Sequence, residues 1–576
     1  LVLAGIVLVA MLGTLIAAGL PLAVAMIGVG VGLAAAMALT AFYEMNSMTP
    51  ALALMLGLAV GIDYALFIVN RHRSQLLQGM DLKESIARAV GTSGSAVLFA
   101  GTTVVIALVA LVLSGIPLLA QMGLVAAGTV AVAVLVALTF SPALLRIMGT
   151  RVVSRRGWRA AEFTTPGEVS TRVVTEDQHE EEHGGWYVRL ITRRPWLTVL
   201  GVVALVGIIA FPALDLRLGL PGGGNEPADS TAYRAYAATA QAFGPGMNGP
   251  VIVVADLTGV DLTSWGADLP GTPTQEQVSA TQAHLATSLA AVDGVEHVVP
   301  FGTSADHRTL AFQVAPSTGP AEAQTVTTVH ALLDGASSIG ASTGTTIGLT
   351  GQTVANIEIS ERLAAALPTY LLVVVGLSLL ILTAVFRSVV VPLVATAGFL
   401  LSVATAFGAT VMVYQWGWLG SIFGVHDPGP ILSFMPIMLI GVLFGLAMDY
   451  QMFLVSGMRE AWSHGEDART AVRSGFTHGA KVVTAAAVIM FAVFGGFVFS
   501  HLTMIRPMGF GLAVGVLTDA VLVRMTLTPA VMHLLGERAW YMPGWLDRLT
   551  PDLDVEGTSL SAMNDAQSRP LDPLPA

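Results

Sequence analysis

Gly441 to Val455 is apolar enough to sit in lipid, yet it holds Asp449 in its body, followed at once by Tyr450. A carboxylate in hydrocarbon costs at least ~2.5–3.5 kcal/mol even on the mildest scale, so such a residue marks function unless it lies near a helix end and snorkels to the headgroups. A second copy argues against snorkelling. Gly57 to Val69 carries Asp63 and Tyr64 in the same small-x-small-x-Asp-Tyr-x-x-Phe pattern, 386 positions earlier. Two expensive residues placed identically in two apolar segments point to one shared task.

Composition agrees. The chain is 54% hydrophobic and 11% charged over 576 residues, and apolar runs of twenty or more residues recur. That is an α-helical polytopic membrane protein. Eleven segments are long enough to cross a hydrocarbon core: 1–18, 20–43, 50–70, 91–114, 117–147, 195–214, 364–386, 389–414, 431–456, 480–501 and 507–535. Lys and Arg collect in alternate loops, around Arg71–Arg88, Arg146–Arg194, Arg387 and Arg459–Lys481. Those loops are assigned to the cytoplasm. Arg506 is the one basic residue on the opposite side.

Residues 215–362 then fall outside. They hold 14 acids against Arg217, Arg234, Arg308 and Arg362. Pro250–Asp256, Val295–Pro300, His307–Val314 and Thr345–Thr350 read as strands, and Thr274–Val292 and Ala321–Leu333 as helices. The order β-α-β-β-α-β is that of a ferredoxin-like unit.

Residues 50–149 and 436–536 are internal repeats. They share the Asp-Tyr segment, a basic loop, the Met122-Gly123 and Met508-Gly509 pairs, and an ending at Ser141-Pro142 against Thr528-Pro529. Both copies face the same way, so the repeats are parallel. The second has six spans with the external domain after its first; the first shows five. The symmetric expectation is twelve spans and two external domains in an intact protein. The expected division is a first bundle (1–148), a cytoplasmic linker (149–194), a span (195–214), the external domain (215–362), a second bundle (363–536) and a cytoplasmic, partly disordered tail (537–576). Trp540 and Trp545 in that tail read as interfacial residues.

Several chemistries are excluded or weak. There is no phosphate-loop motif and nothing resembling a nucleophile–base–acid set. No cysteine exists to make a disulfide or thiolate site. His179 and His183 match a His-Glu-x-x-His zinc pattern, but their flanks are acidic and polar, which favours a solvated linker. Gly28, Gly30 and Gly32 lie inside a span, where small residues let helices approach.

What remains is a pair of membrane carboxylates, each with a tyrosine. Low dielectric disfavours the charged form, so Asp63 and Asp449 are groups able to load and lose a proton. A tyrosine hydroxyl can donate to the ionised form and accept from the neutral one. Asp63, Tyr64, Asp449 and Tyr450 therefore read as a proton relay, with an interfacial belt as the alternative for the tyrosines. Phe67 and Phe453, one turn on, are either core or gate. Asp519, in the last span, is either a third relay member or a structural acid bonded to a neighbouring helix. Arg524, five residues later, is off its face in an α-helix and is expected to snorkel. Lys481, at a helix start, fits the positive-inside pattern.

The residues Gly61–Phe67, Gly445–Phe453, Phe386-Arg387-Ser388-Val389-Val390-Val391-Pro392, Tyr414–Trp418 and Thr518–Arg524 resemble the MMPL (mycobacterial membrane protein large) transporters of the resistance-nodulation-division superfamily. The resemblance covers essentially the whole chain except the family's first span and first porter domain. It implies a bacterial multi-pass cell-membrane exporter of lipids or other hydrophobic molecules, driven by the proton gradient with no other cofactor, its two Asp-Tyr pairs facing one another. The resemblance implies a secondary transporter rather than an enzyme. Expected partners are membrane lipids, a hydrophobic substrate, and a second copy or accessory membrane proteins, with no nucleic acid and no metal. A protein-export accessory factor and a lipid sensor or scaffold are the competing readings.

Overall fold

The computed structural model describes residues 2–42, 44–46, 48–161, 185–220, 222–258, 275–463, 465–500, 502, 504–548 and 550. His179 and His183 lie outside the described residues, as does the tail from 551. So do the side chains of Asp449, Tyr450, Phe453 and Lys481, although helical backbone runs through all four.

The first bundle contains α1 (Val2–Leu12), α2 (Leu15–Leu39), α3 (Met48–Leu77), α4 (Ser95–Val109) and α5 (Pro117–Met148). A short helix α6 (Gly185–Arg193) leads into α7 (Pro195–Ala210). After the external domain come α10 (Gln352–Phe386), α11 (Val390–Thr410), α12 (Met435–Ser463), α13 (Ala468–Val498) and α14 (Ile505–Leu517). A π-helical segment, Thr518–Leu527, follows and then α15 (Thr528–Leu535). Among the described residues, eight helical stretches are long and apolar enough to cross a membrane, or nine if bent α13 is one span; Val2–Leu12 and Met435–Met448 are shorter apolar helices.

Two boundaries and one residue's environment differ from the sequence reading. The expected 1–18 segment breaks at Gly13, whose φ is +72°, and Thr14 then caps α2, its Oγ1 accepting from Ala17 N at 3.0 Å. Residues 15–18 thus belong to α2. The expected boundary between 362 and 363 falls inside α10, which runs from Gln352 to Phe386 with Pro368 in its interior. Trp540 is buried and stacks on Trp462, ring centroids 5.5 Å apart, and is no interfacial residue.

The segment between α7 and α10 holds β1 (Val251–Asp256), α8 (Gln275–Ala290), β2 (Val295–Thr303), β3 (Thr309–Pro316), α9 (Ala323–Thr343) and β4 (Thr346–Thr350). The sheet order is β2-β3-β1-β4, every pair antiparallel. Alternation in β1 puts Val251, Val253 and Ala255 inward, where with Leu310, Phe312 and Val314 of β3 they form one core with Leu285, Leu289, Val329 and Leu332 of the helices. Leu218–Gly219 pairs in parallel with Ile431–Leu432, and Gln415 Nε2 donates to Asp215 O at 2.5 Å, fastening the chain after α7 to the stretch between α11 and α12.

The repeated Met-Gly pairs have a packing cause. A Cβ on Gly123 would lie 2.5 Å from Leu108 O, and one on Gly509 3.0 Å from Phe494 O and 2.9 Å from Phe497 Cβ. Each glycine lets the last span of its copy rest directly on the backbone of the span before. Gly123→Ala and Gly509→Ala should each cost ~1–3 kcal/mol, an overpacking penalty. Gly128→Ala meets nothing within 4 Å and should be neutral or slightly stabilising. Thermal unfolding in detergent micelles separates these outcomes.

Candidate site in the membrane bundle

The first Asp-Tyr helix is held by glycine contacts. A Cβ on Gly57 would meet Thr129 Cγ2 at 2.8 Å, and one on Gly61 would meet Ala25 Cα at 3.1 Å. Gly28 and Gly32 of α2 approach Ala133 and Thr129 of α5 in the same way. This brings α2, α3 and α5 together and leaves Asp63 and Tyr64 1% exposed and Phe67 2% exposed. Tyr64 is therefore not a belt residue.

The two copies cross. Helix α3 packs against α13 of the other copy, and α12 packs against α4. A Cβ on Gly445 would lie 2.5 Å from Val104 Cγ2, while a Cβ on Gly101, one turn earlier on α4, would lie 3.4 Å from Tyr64 Cε2. The Tyr64 ring and the glycine one turn before Asp449 thus meet the same stretch of α4. Tyr370, which the sequence reading missed, joins them: its hydroxyl donates to Ala107 O at 3.1 Å, and a Cβ on Gly441 would lie 2.4 Å from its oxygen. A tyrosine within the apolar run of α10 was the available signal. Whether Asp63 meets Tyr450, and Asp449 Tyr64, involves side chains outside the described residues.

The second copy carries a polar group of its own. Arg524 Nε donates to Asp519 Oδ2 at 3.0 Å, Ser402 Oγ donates to Asp519 Oδ1 at 3.3 Å, and Arg524 Nη1 donates to Gln451 Oε1. Asp519 and Arg524 are 3% and 0% exposed. This corrects the expectation that Arg524 snorkels. The five-residue spacing fails on an α-helix of 3.6 residues per turn, but Thr518–Leu527 is π-helical and residues five apart stack. Asp519 also faces a narrow crevice lined by Phe399, Leu443, Leu446, Ala447 and Val516, with no room for a water molecule. The first copy has Val132 or Ala133 at the place of Asp519 and Ala65 at that of Gln451, and α5 there is α-helical throughout.

A cavity of about 830 Å³ opens between the β-sheet segment, the start of α10 and the 427–430 loop, lined in part by Leu218, Tyr236, Glu322, Asn356, Asp427 and Pro430. Burial, with Glu322 adding to it, pushes the Asp427 carboxyl above the usual carboxylate range. Burial, then Asp427 and Glu322, raises Tyr236.

A family model described as MMPL family matches residues 1–198 and 225–551. Membrane protein YdfJ of Bacillus subtilis is 40% identical over 562 residues, 97% of this chain and 73% of that protein. The mycolic acid-containing lipids exporter MmpL11 of Mycolicibacterium smegmatis is 30% identical over 557 residues, 96% of this chain and 55% of that protein. The trehalose monomycolate exporter MmpL3 of Mycobacterium tuberculosis is 27% identical over 598 residues, 99% of this chain and 60% of that protein. The chain thus spans little more than half the length of these two exporters.

Two outcomes follow from the geometry. Arg524→Met leaves the Asp519 carboxylate buried and unpaired and should cost ~3–5 kcal/mol, whereas the double variant Asp519→Leu/Arg524→Met should recover most of it. Unfolding of the three proteins in micelles reads this directly. A raised folded-state carboxyl contributes stability below its unfolded value and loses it as pH rises through the folded one. Wild type should therefore lose melting temperature relative to Asp427→Asn as pH rises through that window, and equal profiles would refute the shift.

Proposed function

Because the chain belongs to the MMPL family of bacterial membrane transporters, we propose that it serves proton-motive-force-driven export of lipids or other hydrophobic molecules across the cell membrane. The observation that carries this is the burial of Asp63 and Tyr64, with the Tyr64 ring against Gly101 of α4, on the stretch that Gly445 of the second Asp-Tyr helix also meets. That arrangement supports Asp63, Tyr64, Asp449 and Tyr450 as one coupled relay set between the copies. Two carboxylates brought within a few ångströms in low dielectric would titrate as a pair, and one proton taken up on one side would be given back on the other as the copies rock. The proton gradient is the energy source, and no cofactor is required.

Asp519 with Arg524 serves as a further member, holding a fixed charge in the second copy beside Gln451, two residues after Asp449. Phe67 and Phe453 seal the path on each side. Residues 215–362 act as a ferredoxin-like porter domain, a reading supported by the β2-β3-β1-β4 order, and the cavity beneath it receives the apolar cargo. The names of two relatives, which export mycolic acid-containing lipids and trehalose monomycolate, support a lipid cargo.

The test is transport of a fluorescent lipid analogue in proteoliposomes under a pH gradient. Asp63→Asn and Asp449→Asn keep size and remove titration, and each should abolish gradient-dependent movement. Tyr64→Phe and Tyr450→Phe delete one hydrogen-bond partner and should slow it about threefold to tenfold. Export at the normal rate by Asp449→Asn would end the proposal that Asp449 couples transport to the proton gradient.

A further inference from the structure

The two copies keep the same residue count except in one place. Met122 follows Asp63 by 59 positions, as Met508 follows Asp449, and Gly149 follows Ser141 by eight, as Gly536 follows Thr528. Between these marks the counts part: Ser141 follows Met122 by 19 positions, and Thr528 follows Met508 by 20. The second copy therefore carries one extra residue, and it lies within the last span.

An extra residue in an α-helix turns everything beyond it by ~100°. Here both ends of the span match those of the other copy. Gly123 and Gly509 rest on the backbone of the preceding span, and Gly149 and Gly536 end the last span with nearly the same backbone, φ +58° and ψ −139° against φ +54° and ψ −129°. The excess is taken up between them as the π-helical Thr518–Leu527, where the Thr528 N–H donates to Val523 O, five residues back. What fixes the π turn at this place is the ion pair, since Asp519 and Arg524 stack only while the turn lies between them. Around Asp519, Arg524 supplies the opposite charge; α11 adds Phe399 and Ser402, α12 Leu443, Leu446 and Ala447, and α14 Val516. The fit is incomplete: Arg524 Nη2 and the Thr528 hydroxyl are buried with no hydrogen-bond partner among the described residues. Just before the π segment, α14 contains Gly511 and Gly515, which hold an α conformation weakly.

We propose that the extra residue makes the last span a register switch. The π turn moves from 518–527 toward Gly511 and Gly515, turns the residues between by ~100° and parts Asp519 from Arg524, while both ends of the span stay in place. One residue of slack is stored in the helix, so no part of the span has to slide through the bilayer. The two registers differ in what favours them: the ion pair holds the π turn at 518–527, and α-helical hydrogen bonding through 519–524 favours the other place. Parting a charged pair in the bundle is costly, so the second register belongs to the state in which Asp519 has lost its charge. The switch is visible without transport; its place in the cycle rests on the relay reading above.

The chain has no cysteine, so single spin labels can be placed by Val521→Cys, within the segment that turns, and by Leu534→Cys, beyond it. Both positions are exposed, by 40% and 47%, and oxygen collision in the reconstituted chain reads their contact with lipid. Moving the π turn brings residue 521 to the place that buried Ala520 now holds. In an Asp519→Asn background the Val521 label should therefore lose its oxygen exposure, and the Leu534 label should keep it. Deletion of Val521 is the converse test, because it removes the slack and leaves Asp519 and Arg524 four residues apart, an α-helical pair. That variant should keep the wild-type melting temperature in micelles and lose the fast amide exchange of 511–527, whereas Val521→Ala, which keeps the residue count, should exchange like wild type. A Val521 label indifferent to Asp519→Asn, or a Leu534 label that moves with it, overturns the migration. Exchange as fast in the deletion as in wild type does the same. A deletion variant that melts below wild type shows the extra residue to be part of the static packing and overturns the switch. None of these readouts requires transport, so they fail independently of the exporter reading.

Discussion

Polar groups carried into a membrane bundle have no water to fall back on, so each must be met by protein or be made to change its charge. In this chain that constraint shapes the helices themselves. Arg524 could not reach Asp519 from an α-helix; ten residues of the last span are π-helical, and the pair closes at 3.0 Å. Ser402 and Gln451 then bring α11 and α12 into the same network. Removing one charge exposes the full desolvation cost of the other, which is why such a pair organises three helices although its net contribution to stability is small.

Close backbone approach makes this possible. Gly57, Gly61, Gly123, Gly445 and Gly509 stand where a Cβ would strike a neighbouring span. Between membrane helices the driving force is packing rather than exclusion of water, so small residues at crossings decide which helices meet. The result is a parallel duplication whose halves are chemically unequal. The first copy fills the region of Ala133 with glycine and alanine contacts, and the second fills the corresponding region with an ion pair.

The sequence disclosed what obeys simple periods and costs. Asp63 and Tyr64 stood out because a carboxylate in an apolar run is expensive, and the structure buries both. The strands of the external segment were legible from alternation, as Val251, Val253 and Ala255 illustrate. Arg524 was misread because the π turn has no signal in spacing; the rule that rejects a five-residue pair assumes 3.6 residues per turn. The break at Gly13–Thr14 was hidden by apolar residues on both sides, although a Gly followed by a capping Thr is a stop and a start. Trp540 looked interfacial from position alone, and only tertiary packing supplied Trp462 as its stacking partner. The domain boundary near 362 was drawn where hydropathy changes, while the α10 backbone continues through it.

The central claim is that Asp63 titrates inside the bundle and does so together with Asp449. Infrared difference spectroscopy of the reconstituted chain, stepped through pH, measures this through the carbonyl band of a protonated carboxyl group. The account predicts a titrating band that disappears in Asp63→Asn and whose midpoint moves in Asp449→Asn. A spectrum unchanged by Asp63→Asn at every pH, or a midpoint indifferent to Asp449→Asn, would contradict it.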